Sequence, residues 1–392
     1  MHGMTFLVVL ALATLAQAQT FTVLAYFSGS NGLYPDAGVI RDPNGNLYGT
    51  TTRGGDLNCG TGYGCGVVYK LGTDGTETVL HSFSGGADGS TPAGAVIRDK
   101  AGNLYGTTFE AGSSNCAYGC GTVFRINTAG NETVLYSFTG GSDGCNPYQG
   151  LVMGKGGNLY GTTHFCGSSN YGTIFKVNSA GKFTLLHGFA GSPSDGATPE
   201  FGHPIIDQSG SLYGVTDSGG ASDYGVLYKL SKGGKLTILH SFAGGTTDGC
   251  NPYGSVLRDK AGNIYGTTSG CGNDHSYGVI WRVSKNGKEA ILHNFAGGQS
   301  DGCFPLGGVA RDPMGNLYGL TTDCGSQGYG VVYELSTNGT PTVLHSFDEL
   351  DGAYPLDGVL RTTKGTLFGT AGGFVNCYYA YGVCGTAWKY VP

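Results

Sequence analysis

The chain has 392 residues, of which 75 are glycine and only 12% are charged, with a formal net charge of −6. No Gly-X-Y period runs through it, which excludes collagen, and its 25 Tyr and 18 Phe call for burial, which excludes disorder. A mildly acidic chain without basic runs offers no electrostatic footprint for nucleic acid or anionic lipid, so neither is expected as a partner.

The first segment, MHGMTFLVVLALATLAQAQT, has a polar start and an apolar run from Phe6 to Leu15. Ala16 and Ala18 supply the small residues a signal peptidase needs, so the pattern predicts a secretory signal cut after Ala18. The run is too short to span a bilayer core of ~30 Å. No other long apolar segment follows, and no sorting tail follows the last strand-like phrase. The expectation is a soluble exported protein, extracellular or periplasmic. Residues 1–18 would be removed and 19–392 would form one domain.

The next phrase, TVLAYF at 22–27, returns as TVLHSF at 78–83 and 342–347. It belongs to a repeat of four strand-like phrases. Phrase A resembles GVIRD (38–42), B is NLYGTT (46–51), C is GVVYKL (66–71) and D is TVLHSF (78–83). The B phrase recurs around Tyr48, Tyr105, Tyr160, Tyr213, Tyr265, Tyr318 and Phe368. Short Gly turns such as DPNGN join A to B, and turns such as TDGTE join C to D. The B–C and D–A connections are longer and hold nearly all the cysteines. Four short antiparallel strands per unit of about 50 residues is the signature of a propeller blade.

Phrases A, B and C each occur seven times, and so does D, with one copy at the front. The last unit stops at GTAWKYVP, a C phrase. TVLAYF then supplies the missing fourth strand of the last blade. The prediction is an all-β, closed seven-bladed β-propeller with four antiparallel strands per blade, in which strand 22–27 completes the seventh and leaves no open edge.

The unit P-x-x-G-x-x-x-D-x-x-G-N-L-Y-G-T-T, then Y-G-x-V-Y-K-L, then T-V-L-H-S-F resembles the Gloeo/Verruco-type tandem repeat of exported bacterial proteins. It covers almost all of the chain after the signal. The resemblance implies a secreted or surface β-propeller and carries no defined reaction and no catalytic residues. The blade also resembles the NHL class, which includes both binding modules and enzymes, so fold alone does not choose a function.

Twelve cysteines in an exported chain predict disulfides. Cys145 and Cys166, Cys250 and Cys271, and Cys303 and Cys324 share one spacing, each pair linking a D–A loop to a B–C loop. Cys59 with Cys65, Cys116 with Cys120, and Cys377 with Cys384 are close pairs within B–C loops. All twelve are expected to be structural, stiffening the face that carries these loops, and no metal site is expected of them.

No G-x-S-x-G, H-E-x-x-H, P-loop or EF-hand pattern is present. Residues repeated in most blades are expected to serve the blade. These include His81, His187, His240, His293 and His345 of phrase D, expected to hydrogen-bond between blades. They include the A–B turn aspartates and the Tyr before strand C (Tyr63, Tyr118, Tyr171, Tyr224, Tyr277, Tyr329, Tyr381), expected to pack. Arg41, Arg98, Arg258, Arg311 and Arg361 end strand A; they either pair with turn aspartates or form an anion-attracting ring at the lower channel mouth. Asp88, Asp143, Asp195, Asp248, Asp301 and Asp351 are turn-formers in D–A loops, with calcium as the other reading and no other cofactor expected.

Positions that differ between blades are freer to serve a ligand. At the upper channel mouth these are Asp36, Ala93, Tyr148, Gln149, Glu200, Tyr253, Leu306, Leu356 and Asp357, with His203 out of pattern. After strand B they are Arg53, Glu110, His164, Phe165, Asp217 and Asp323. Aromatic faces stack on sugar rings and planar polar groups satisfy hydroxyls. The leading expectation is therefore a binding module for a carbohydrate or cell-surface polymer. One alternative is a hydrolase or lyase using Glu200, Asp36 or Asp357 with His203 or His164 as acid and base. Another is a structural matrix protein.

Overall fold

The computed structural model describes residues 19–59, 62–200, 202–373 and 384–392. The signal segment with its Ala18 site, Cys377 and Tyr381 lie outside the described residues. Seven antiparallel sheets follow one another, each with strands in the order A–B–C–D. In blade 1 these are Ile40–Arg41, Leu47–Thr51, Val67–Leu71 and Glu77–Ser82. Turn chemistry sets each A–B corner: Asp42 accepts the backbone N–H and side-chain amide of Asn46 at 2.9 and 2.8 Å, and Gly45 turns the chain at a φ of 98°. Among the described residues there is no α-helix, and none of the helical segments is long and apolar enough to cross a membrane.

The seventh sheet is built from both ends of the chain. Its order is Thr20–Tyr26, Gly385–Val391, Leu367–Gly372, Leu360–Arg361. Thr20 lies opposite Val391 and Tyr26 opposite Thr386, and the N–H of Phe27 donates to the Gly385 carbonyl at 2.9 Å. The strand expected over 22–27 thus runs from Thr20 to Tyr26 and closes the ring.

Blades adhere through aromatic side chains. The Phe that ends each D phrase is essentially unexposed and meets the aromatic residue of strand C in the next blade. Phe83 meets Phe124 at 5.2 Å between ring centroids, Phe189 meets Tyr228 at 5.5 Å and Phe242 meets Trp281 at 5.4 Å. The glycine of LYGTT makes room for that ring: a Cβ on Gly266 would lie 2.4 Å from Trp281.

At the upper face, each D–A loop pairs with the B–C loop that follows it. Gly249 lies opposite Cys271 and Cys250 opposite Gly270, and the disulfide Cys250–Cys271 crosslinks that ladder. Cys145–Cys166 and Cys303–Cys324 do the same, and Cys59–Cys65 and Cys116–Cys120 close their own loops. Blade 4 keeps the pairing without cysteines, through Ala197 opposite Ser218.

Three expectations about repeated residues change. The D-phrase histidines bond within their own blade's chain rather than between blades. His187 lies 2.9 Å from Asp195 and His345 2.7 Å from Asp351, because the loop doubles back on the strand that enters it. The same aspartates accept loop N–H groups, as Asp195 does from Ala190 and Gly196, so their oxygens serve protein donors. The strand-A arginines do not pair with turn aspartates, which their own Asn and Tyr already satisfy. Three of them lie over the strand-B tyrosine of the preceding blade, Arg361 over Tyr318 at 5.1 Å, Arg258 over Tyr213 at 5.3 Å and Arg311 over Tyr265 at 5.7 Å. The tyrosines before strand C divide: Tyr277 and Tyr329 pack against the core as expected, whereas Tyr118 is 80% exposed, and Tyr63, Tyr171 and Tyr224 are about half that.

Candidate functional site

Strand A borders the central channel, and the residues leading into it are small for a steric reason. Neighbouring chains approach so closely that a Cβ on Gly254 would lie 2.4 Å from the backbone of Gly307, and one on Gly94 2.3 Å from Gly150. The floor of the upper mouth is therefore nearly sealed. Asp36, Ala93, Tyr148, Gln149, Leu356 and Asp357 enclose a cavity of ≈ 10 Å³, about the room one water occupies.

Two groups of candidate residues meet there. In the first, burial pushes the Asp36 carboxyl up to about 7, opposed by a hydrogen bond from Thr52 (3.0 Å) and by the nearby Arg53. Asp357 has a positioning role: it accepts the N–H of Gly38 at 2.8 Å and of Gly358 at 2.7 Å, tying blade 7 to blade 1. Gln149 is buried, and its carbonyl accepts the Thr107 hydroxyl.

The second group spans blades 3 to 5. Burial, with help from nearby Asp217, pushes Glu200 up to about 7, and the Tyr253 hydroxyl donates to it at 3.4 Å. His164 Nδ1 lies 3.9 Å from Glu200, and burial pulls its imidazole down to about 4. That ring stacks on Phe165 with centroids 3.7 Å apart, and Nδ1 is buried without a hydrogen-bond partner among the described residues. Burial also raises Asp217, which accepts the Ser218 hydroxyl. Tyr148 joins the two groups. Its phenol is raised by burial and then by the carboxylates of Asp36 and Glu200, one from each group.

The remaining candidates bond elsewhere, although Arg53 and His203 are coupled by charge to Asp36 and Asp357 of the first group. Arg53 and Glu110 face one another at 3.4 Å, with Thr91 bonded to both. Among the described residues no hydrogen bond joins the Asp323 carboxylate to either group; burial raises it. His203 sits in the channel, where burial lowers its pKa against the opposing field of Asp357. Its Nδ1 lies 2.6 Å from Ser255 Oγ. Sequence reasoning missed Ser255. Its signal is a hydroxyl at a channel position that most blades fill with Gly or Ala.

Chemically, the floor offers two carboxyl groups that change charge near neutrality, two phenols and a neutral imidazole. Around it, Tyr63, Tyr118, Tyr171 and Tyr224 form an outer arc of exposed rings on the same loop face.

The family described as Gloeobacter/Verrucomicrobia repeat matches residues 10–204 and 201–383. No curated protein matches the chain. Among solved structures, virginiamycin B lyase from Staphylococcus aureus is similar at 12% identity and a TM-score of 0.59, covering 96% of this chain and 100% of that one. The extracellular domain of BT3049 from B. thetaiotaomicron is similar at 14% identity and a TM-score of 0.56, with 96% of this chain spanning 41% of that one. A fungal alcohol oxidase in complex with copper also has 14% identity and a TM-score of 0.56, over 96% of this chain and 77% of that one. At these identities the likeness is one of fold, and the functions carried by that fold are varied.

Proposed function

From the premise that this chain belongs to the Gloeobacter/Verrucomicrobia repeat family, we propose that it is an exported binding module whose loop face holds a neutral carbohydrate polymer. The observation that carries this reading is the set of exposed tyrosines on that face, from the 80% exposed Tyr118 through Tyr171 and Tyr224. Such rings are stacking platforms for sugars, and several blades apart they suit an extended chain. The sealed floor supports a ligand lying across the face rather than entering a deep funnel. The five disulfides among the described residues and the fold shared with an extracellular domain support export.

A glycan array followed by calorimetry on the mature protein tests the reading. Tyr171→Ala with Tyr224→Ala should weaken binding at least about tenfold while the fold persists, since both rings are half exposed. Tyr148→Ala with Tyr253→Ala tests the floor in the same way. No glycan binding, or binding indifferent to both double substitutions, overturns it.

A second reading rests on the His164–Glu200 spacing of 3.9 Å. A carboxyl near neutrality beside a neutral imidazole is an acid–base pair for a hydrolase or lyase. Release of reducing or unsaturated ends from a bound polysaccharide, lost in Glu200→Gln, would favour it. Binding without turnover would not.

A further inference from the structure

The fold sorts the charges that composition leaves mixed. Of the 21 Lys and Arg residues, Arg53 alone lies in a D–A or B–C loop, whereas those loops hold most of the 27 acids. The other basic residues lie in strands and in the A–B and C–D turns. The low overall charge therefore hides an acidic upper face and a basic lower one.

Part of the basic charge gathers at the lower channel mouth. Arginine ends strand A in blades 5, 6, 7, 1 and 2, while Met153 and Ile206 take that place in blades 3 and 4. The result is an arc. On its blade 5 to blade 7 side lies a cavity of ≈ 750 Å³ lined by Arg258, Lys260, Arg311, Arg361, Thr362 and Thr363, with the carboxylates of Asp259 and Asp312 also at its wall. Its volume is that of a small-molecule site, and it dwarfs the upper one.

The arginines are held but not neutralised. The guanidinium groups of Arg258, Arg311 and Arg361 each lie over a tyrosine ring of the blade before, Arg311 over Tyr265 at 5.7 Å. The turn carboxylates nearby are occupied: Asp259 takes the Asn263 amide at 2.8 Å and the Tyr265 hydroxyl at 3.2 Å. Among the described residues, Arg53–Glu110 is the only Lys or Arg within 4.0 Å of a carboxylate. Blade 7 has Thr362 where five other blades have the turn Asp, so Arg361 faces no acid of its own turn. The Arg361 Nε and Thr362 Oγ1 atoms are buried there without hydrogen-bond partners among the described residues. Planar, preorganised cations that outnumber the carboxylates round a polar cavity, and that have no direct ion-pair partner among the described residues, suit phosphate or sulfate oxygens.

We propose that the lower channel mouth binds a compact, multiply charged oxyanion bearing phosphate or sulfate groups. This site is independent of the upper-face reading, and either can fail alone. Calorimetry on the mature protein at low salt tests it, with inorganic tripolyphosphate in one arm and a sulfated hexasaccharide in the other. Saturable binding of either, weakening with added NaCl, is expected, and the tighter arm assigns the source. Arg311→Gln should weaken it about tenfold. Because Arg311 also packs on Tyr265, exposed Lys260 provides a second variant. Lys260→Glu should weaken binding with an unchanged Tm, and Arg53→Gln should leave it unchanged. No saturable binding of either probe to about 1 mM, or affinity indifferent to both lower-face substitutions, overturns the proposal.

Discussion

Phe27, which follows the first strand, meets Tyr69 of blade 1 with ring centroids 4.8 Å apart. This is the same contact that joins every other blade to its successor, made here between the last blade and the first. A hydrogen bond closes the circle a second time: Thr370 donates to the Ala37 carbonyl as Thr50 donates to that of Gly94. The N-terminal strand is therefore a full member of the repeat in packing as well as pairing.

Phe27→Ala should cost about 3–5 kcal/mol, the range for truncating a fully buried Phe, and should match Phe242→Ala at an ordinary blade junction. Chemical denaturation of both variants checks it. A Phe27 variant as stable as the parent would mean the clasp does not hold the ring.

The narrow floor makes a second expectation. Gly254→Ala places a methyl against the Gly307 backbone, where nothing can move aside. It should destabilise by about 1–3 kcal/mol through overpacking, while alanine at Gly245, whose Cβ meets nothing within 4 Å but whose φ is 76°, should cost about 1 kcal/mol or less. Melting curves of the two variants separate close packing from backbone strain.

The Asp195–His187 pair predicts an acid dependence. Burial would raise the Asp195 carboxyl, but His187 and the N–H groups of Ala190 and Gly196 outweigh it and hold it below the ordinary range. A depressed folded pKa stabilises above the ordinary value and is lost as the pH falls through the folded one. Asp195→Asn should cost about 1–3 kcal/mol at neutral pH, and the gap to the parent should close in strong acid. Denaturation across the acid range reads this directly. A gap that stays constant would refute the charge term.

Asp36 should behave in the opposite sense. Its folded carboxyl holds a proton up to about 7, whereas the unfolded one releases it near 4. The native state binds the extra proton between those values, so stability falls as the pH rises through that window. Asn at this position keeps the acceptor for Thr52 and carries no charge. Asp36→Asn should therefore gain about 1–3 kcal/mol at about pH 8 and nothing near pH 4. Equal stabilities at both pH values would show that Asp36 is not held neutral by burial.

The blades, their count, the clasp and the long-range disulfides were legible in the chain because each depends on local pattern. Alternation and Gly turns define strands, and a fixed spacing between cysteines repeats whenever the same two loops face each other. The partners of repeated side chains were harder to read. His187 and Asp195 are eight residues apart, but only the returning loop makes them neighbours. Arg361 and Tyr318 belong to different blades, and their contact depends on how one sheet is rotated against the next.

The order of strands and the pairing of the two termini are therefore properties of the sequence alone, since hydrogen-bonded strands must be completed wherever they are started. The tertiary structure decided what lies at each end of the axis. Tyr148 stands between Asp36 and Glu200, and Arg258, Arg311 and Arg361 share one cavity, because seven units turn about a common centre. That rotation gathers positions dozens of residues apart, brings their backbones close enough to seal one mouth, and leaves opposite charges on opposite faces.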